Sequence, residues 1–190
     1  MTTPKVAAEF AAANESYVKN YGGKLPIPPS RQPLASYFIE VYTITKINLS
    51  PSLPMKVTCM DARIDPIASL GLKEGEAHVI RNAGGRASEA IRSIVISQRL
   101  LGTTEVVIFH HTDCGMLTFT DKEIRDKIKT TDGPSTAPYV DQIAFLPFDS
   151  VEKSVEEDVQ FVKSHPLLLK DAKVSGWVHE VETGRIRQVV

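Results

Sequence analysis

The sequence predicts an α/β fold: a central, mostly parallel β-sheet flanked by helices, with an N-terminal helical arm and a C-terminal hairpin. Two observations carry this. From Met55 onward, short β-prone runs alternate with amphipathic runs of helical period, the pattern of βαβ units. One run, Glu105–Phe109 (E-V-V-I-F), is apolar at consecutive positions, as in a strand buried on both faces of a parallel sheet. A chain of 190 residues is one domain with a full core.

Each element has its own signal. Pro4 to Tyr21 is Ala-rich, with Phe10, Tyr17 and Val18 spaced for one helical face, and Gly22-Gly23 ends it. L-P-I-P-P-S reads as an extended linker. Residues 37–49 are β-branched and aromatic, so a strand is expected, broken by S-P-S-L-P. A short strand, Met55 to Cys59, follows. Asp65 caps a short helix with Pro66 at its first position, running to Leu70. His78–Arg81 is a strand and N-A-G-G a glycine turn. Ser88–Leu101 is an amphipathic helix stopped by Gly102. T-D-K-E at Thr120 is a capping box for a helix to about Lys129. Residues 130–147 read as a loop, Asp149–Lys163 as a helix, and the C-terminus as a strand and hairpin turning at Thr183-Gly184.

Composition narrows the function. Hydrophobic residues make up 42%, charged residues 24% and aromatics 7%, which excludes a wholly disordered or collagen-like chain. With 22 basic and 23 acidic residues the net charge is −1, so no electrostatic footprint for nucleic acid or an anionic membrane is expected. No apolar run reaches the ~18 residues of a membrane helix. M-T-T-P-K-V-A-A-E-F lacks the basic and apolar regions of a signal peptide, so the expected compartment is the cytosol.

The two cysteines, Cys59 and Cys114, are too few for a disulfide scaffold. In a parallel sheet, ligands bind beyond the carboxyl ends of the strands. Cys59 ends one strand, and His110, His111 and Cys114 sit just past another, so all fall on one rim. Two thiolates and an imidazole are three good zinc ligands, and three protein ligands with an open fourth position mark a catalytic site. Spacing alone leaves open the alternative of two buried cysteines acting as small hydrophobes.

Three longer strings decide between these. V-T-C-M-D-A-R-I-D (Val57–Asp65), V-I-R-N-A-G-G (Val79–Gly85) and F-H-H-T-D-C-G-M (Phe109–Met116) resemble the β-class carbonic anhydrases, in their compact bacterial and fungal branch. The family's C-x-D-x-R and, about fifty residues on, H-x-x-C are both present. The resemblance implies one zinc per chain on Cys59, His111 and Cys114, with Asp61 and Arg63 as a dyad beside the fourth position. It implies reversible hydration of CO2 to bicarbonate and a proton by a zinc-bound hydroxide. Arg63 would hold Asp61 off the metal; released, Asp61 would become the fourth ligand of a closed site. His110 is expected to be structural or supporting. Asp113 is expected to bond locally, and His78, His165 and His179 to be structural or exposed. Gly84 and Gly85 would either present N–H groups to bicarbonate or serve only as a tight turn.

The resemblance also implies a homodimer or larger homo-oligomer, with the N-terminal helix wrapping the partner. The domain therefore divides into an arm (1–31), an atypical insertion (32–54) and a zinc-binding core (55–190). The insertion departs from the family, which runs almost directly from a P-P-S-R-like segment into the first strand. Alternatives are a CS2 or COS hydrolase of the same fold, or a catalytically weak zinc- or bicarbonate-binding relic. A phosphatase-like H-C-x5-R loop fails, because Thr112 and Asp113 separate His111 from Cys114 and position 120 is threonine.

Overall fold

Five strands form one sheet in the order β2-β1-β3-β4-β5. The structure, a computed structural model, describes residues 18–19, 53–72 and 74–190. The strands are β1 (Leu53–Cys59), β2 (His78–Asn82), β3 (Thr103–His111), β4 (Lys173–His179) and β5 (Ile186–Gln188). The first four run parallel, and β5 returns antiparallel to β4. Val57, Val106, Ile108 and Phe109 are fully buried, as the continuous apolar run at β3 requires.

Among the described residues from 53 onward, the α-helices are α1 (Pro66–Ser69), α2 (Ala87–Leu101), α3 (Asp121–Asp132), α4 (Ala137–Val140) and α5 (Val151–Ser164). The caps form as the sequence predicts. The Asp65 carboxylate accepts from the N–H groups of Ile67 and Ala68 at 2.9 and 3.0 Å, and Thr120 and Glu123 close the capping box. Helix α5 buries Val151, Val155, Val159 and Val162 on one face. At Gly176 on β4 the missing side chain leaves room for Val155 and Val159, so the helix lies close on the sheet.

The larger differences from the sequence reading lie at β1, at β3 and in residues 130–147. Strand β1 begins at Leu53, so Leu53 and Pro54 pair with β3 in the sheet. At that end β1 has no β2 partner, and a proline without an N–H is tolerated there, with a register shift beside it. Strand β3 runs through His110 and His111, because β4 keeps pairing with it as far as His179. The stretch 130–147 is not all loop: α3 extends to Asp132, and a 3₁₀ turn (Pro134–Thr136) and α4 follow. The expected helix Pro4–Tyr21 lies outside the described residues except for Val18 and Lys19, which are helical. The linker, the 37–49 strand and residues 32–52 also lie outside them.

Candidate metal centre

Adjacent parallel strands put their carboxyl ends side by side, and here those ends are Cys59 on β1 and His111 on β3. Two residues later Asp113 takes a left-handed conformation (φ 51°), open to Asp at modest cost, and the turn brings Cys114 back to the rim. The Cys59 and Cys114 sulfurs stand 4.0 Å apart. Together with a ring nitrogen of His111 they lie within 4.8 Å of one another, all three residues buried.

The donor set fits zinc. Two sulfurs on one tetrahedral zinc, each about 2.3 Å from it, would stand about 3.8 Å apart. The His111 Nδ1–H donates to the Thr112 carbonyl at 2.7 Å, which leaves the Nε2 lone pair free. That Nε2 is buried and has no hydrogen-bond partner among the described residues, a cost that a metal ion would remove. The Cys59 thiol is drawn well below its ordinary value, first by the hydrogen bond from Cys114, then by His111 and the N–H groups of Asp61 and Gly84. Its neighbour moves the other way: the hydrogen bond to Cys59, and then burial, push the Cys114 thiol up.

Beside the cluster, Arg63 grips Asp61. Its Nε lies 3.0 Å from Oδ1 and its Nη2 2.7 Å from Oδ2, a bidentate pair. The Arg63 N–H adds a bond to Oδ1 at 2.8 Å. These hydrogen bonds from Arg63 hold the Asp61 carboxyl well below the usual carboxylate range. Asp61 Oδ2 is 3.9 Å from His111 Nε2, so the carboxylate borders the metal position. The pairing does not come from an extended chain. Residues 62–63 form a turn, closed by Ile64 N–H on the Asp61 carbonyl at 3.2 Å, and this folds Arg63 back.

Two contacts were not legible in the sequence. Asp113, expected to bond within its own turn, instead binds Arg63 Nη1 at 2.7 Å, and its carbonyl accepts from Nη2 at 2.9 Å. Arg63 thus ties the C-x-D-x-R loop to the H-x-x-C loop. Arg81 donates from Nε to the Cys59 carbonyl at 3.0 Å and from Nη2 to that of Asp61 at 2.6 Å. The available signal was its place near the end of β2, opposite Thr58.

The glycine turn forms at Ala83–Gly85, with φ 75° at Gly84 and 70° at Gly85. Gly84 lines a cavity of about 320 Å³ with Met60, Ala83, Met116 and Phe119, open beside Cys59, Asp61 and Cys114. Gly85 instead faces the backbone, where a Cβ would come 2.8 Å from the Thr58 carbonyl carbon. His110 points away from the cluster towards α5. His78, His165 and His179 all lie outside the metal cluster.

This is a parallel-sheet protein with a buried Cys-His-Cys centre of the kind that zinc enzymes use. A sequence profile described as carbonic anhydrase matches residues 55–186. The β-carbonic anhydrase 1 of Mycobacterium tuberculosis is 38% identical over 189 residues, covering 97% of this chain and 98% of that one. The structure of a carbonic anhydrase from Glaciozyma antarctica superposes with a TM-score of 0.81 at 45% identity, over 94% of this chain and 95% of that one. A carbon disulfide hydrolase of an Acidianus species is 36% identical over 152 residues, 70% of this chain and 74% of its own. The chain belongs to the β-carbonic anhydrase family, and zinc is the cofactor of that family. Among the described residues, no helix is long and apolar enough to cross a membrane.

Proposed function

We propose that this chain catalyses the reversible hydration of CO2 to bicarbonate and a proton at the Cys59–His111–Cys114 centre. One observation carries the reading: two sulfurs and an unpartnered ring nitrogen converge beside an apolar cavity, with an ionised carboxylate at its edge. Zinc held by these three residues supplies Lewis acidity that makes hydroxide available from water near neutral pH. The chain's own residues do the rest. Met60, Ala83, Met116 and Phe119 offer carbon surface to a small apolar substrate. The Asp61 carboxylate accepts a hydrogen bond from the nucleophile and orients it towards the carbon of CO2. Arg63 keeps Asp61 in that role; freed from Arg63, Asp61 would compete for the fourth metal position. Attack forms one C–O bond and moves an electron pair onto a substrate oxygen, giving bicarbonate, and the proton from water leaves to solvent.

The same cavity admits CS2, the substrate named for the Acidianus relative. Stopped-flow hydration of CO2, beside hydrogen sulfide release from CS2, separates the two. Hydration at least a thousandfold above buffer, with no comparable sulfide release, supports the proposal; the reverse pattern assigns the chain to CS2 chemistry, and neither activity makes it a relic. Assembly as at least a homodimer in the cytosol belongs to the same reading. Met60 at the cavity mouth is 66% exposed, an apolar side chain that a second subunit would cover. Light scattering showing only monomer at micromolar concentration would refute that part.

A further inference from the structure

His110, Asp158 and Arg86 form a buried polar cluster on the other side of β3 from the metal position. Successive strand residues face opposite sides, so if His111 meets the metal, His110 cannot. His110 is 1% exposed and Asp158, on α5, is 2% exposed. Burying a carboxylate costs several kcal/mol unless partners compensate it. Asp158 finds three: the Ala87 N–H at 3.0 Å, Arg86 Nη2 at 3.4 Å and His110 Nε2 at 3.4 Å. The same His110 Nε2 lies 3.2 Å from the Gly85 carbonyl. The Gly85 carbonyl is an acceptor, so the ring proton sits on Nε2 and is donated to it, with Asp158 Oδ2 close beside it. Phe148 stacks on the His110 ring at 14° and carries the Arg86 guanidinium over its own face.

The partners of this cluster are informative. Gly85 and Ala87 flank Arg86, so three consecutive residues, from the last of the glycine turn onward, are pinned from one side. Gly85 is pressed from the other side by the backbone of Thr58 and Cys59. A small displacement of the turn therefore shifts the Thr58–Cys59 backbone, and with it the sulfur that would hold a metal.

We propose that His110 and Asp158 are positioning residues for the metal centre, acting through Gly85, which abuts the Thr58–Cys59 backbone, to place the Cys59 sulfur. The inference rests on the metal-centre reading above and is independent of the substrate. Zinc affinity, by competition with a chromophoric chelator, and the thiolate-to-metal charge-transfer band of the cobalt-substituted full chain test it without any assay of turnover. His110→Phe keeps the stacking on Phe148 but removes the Nε2 donor. It should bind zinc 10–100-fold more weakly, with a shifted band. His110→Gln returns an N–H near the position of Nε2 and should recover most of both. Val155→Ala, a core change on the same helix, should lower stability and leave the band in place. Parental affinity and band in His110→Phe, or no recovery in His110→Gln, would reduce the cluster to packing. Should His110→Phe fail to fold, the near-isosteric Asp158→Asn carries the test. A shifted band and zinc weakened at least fivefold support the role, and parental values refute it. A parent chain lacking the charge-transfer band would overturn the metal-centre reading itself.

Discussion

Removing the Asp61 carboxylate takes away a hydrogen-bond acceptor beside the metal position and leaves Arg63 with Asp113 alone. None of the three ligand atoms belongs to Asp61, so Asp61→Ala should retain its zinc while turnover falls roughly 10–1,000-fold. Arg63→Ala should also lose activity, for the opposite reason: the carboxylate is then free to take the fourth position. Stopped-flow rates and metal analysis on both variants check this, and an Asp61→Ala chain with unchanged rate across pH 6–9 would remove Asp61 from the mechanism. At this scale the sequence was most informative about residues that carry chemistry. Cys59, His111 and Cys114 stand in the motifs that carry the family resemblance, and the fold brings them together. Arg81 and Asp113 escaped because each acts through a contact that only the folded rim creates. One reaches across to a neighbouring strand's carbonyls, and the other reaches Arg63 fifty residues away.

The glycine turn shows what an element contributes to a site. Gly85 combines a positive φ with closed space, whereas Gly102 has a similar φ (74°) and nothing within 4 Å of where its Cβ would be. Gly102→Ala should therefore cost about 1 kcal/mol, the conformational cost of a left-handed cap. Gly85→Ala should cost about 2–4 kcal/mol, because the Thr58–Cys59 backbone must also move. It should weaken zinc binding as well. Urea unfolding and chelator competition measure both, and equal costs at the two glycines would contradict the close approach. Most elements were legible because their signals are local: the Asp65 and Thr120 caps, the α5 valines and the Thr183-Gly184 turn. The ends of β1 and β3 were not, since pairing with a neighbouring strand determines where a ladder stops. Pro54 was read as a breaker because its tolerance depends on the absent β2 partner at that end.

At the scale of the whole molecule, the parallel direction of the core strands followed from helix–strand alternation; their order did not, nor did what residues 32–52 do, since their composition names no partner. Excising 32–52 while keeping Leu53 and Pro54 should leave zinc content and thermal midpoint intact; loss of folding would show the segment to be integral. Stability should also depend on pH through His78, which burial holds below its ordinary value of about 6.5 while its Nδ1 bonds Ser97 Oγ at 2.6 Å. The unfolded chain then binds the proton first, so this contribution is present above pH about 6.5 and is lost as pH falls below it. Denaturant unfolding at pH 7.5 and 5.5 should show a steeper loss in the parent than in His78→Gln; equal slopes would exclude His78 as the cause. The account as a whole depends on zinc at one centre carrying out hydration. Its most direct test is depletion of 18O from labelled bicarbonate, followed by mass spectrometry on the parent and on Cys114→Ser, with zinc measured in the same samples. We expect one zinc per chain and rapid depletion in the parent, and the loss of most of both in the variant. A zinc-replete parent no faster than buffer, or a Cys114→Ser protein that keeps its metal and its rate, would contradict the account.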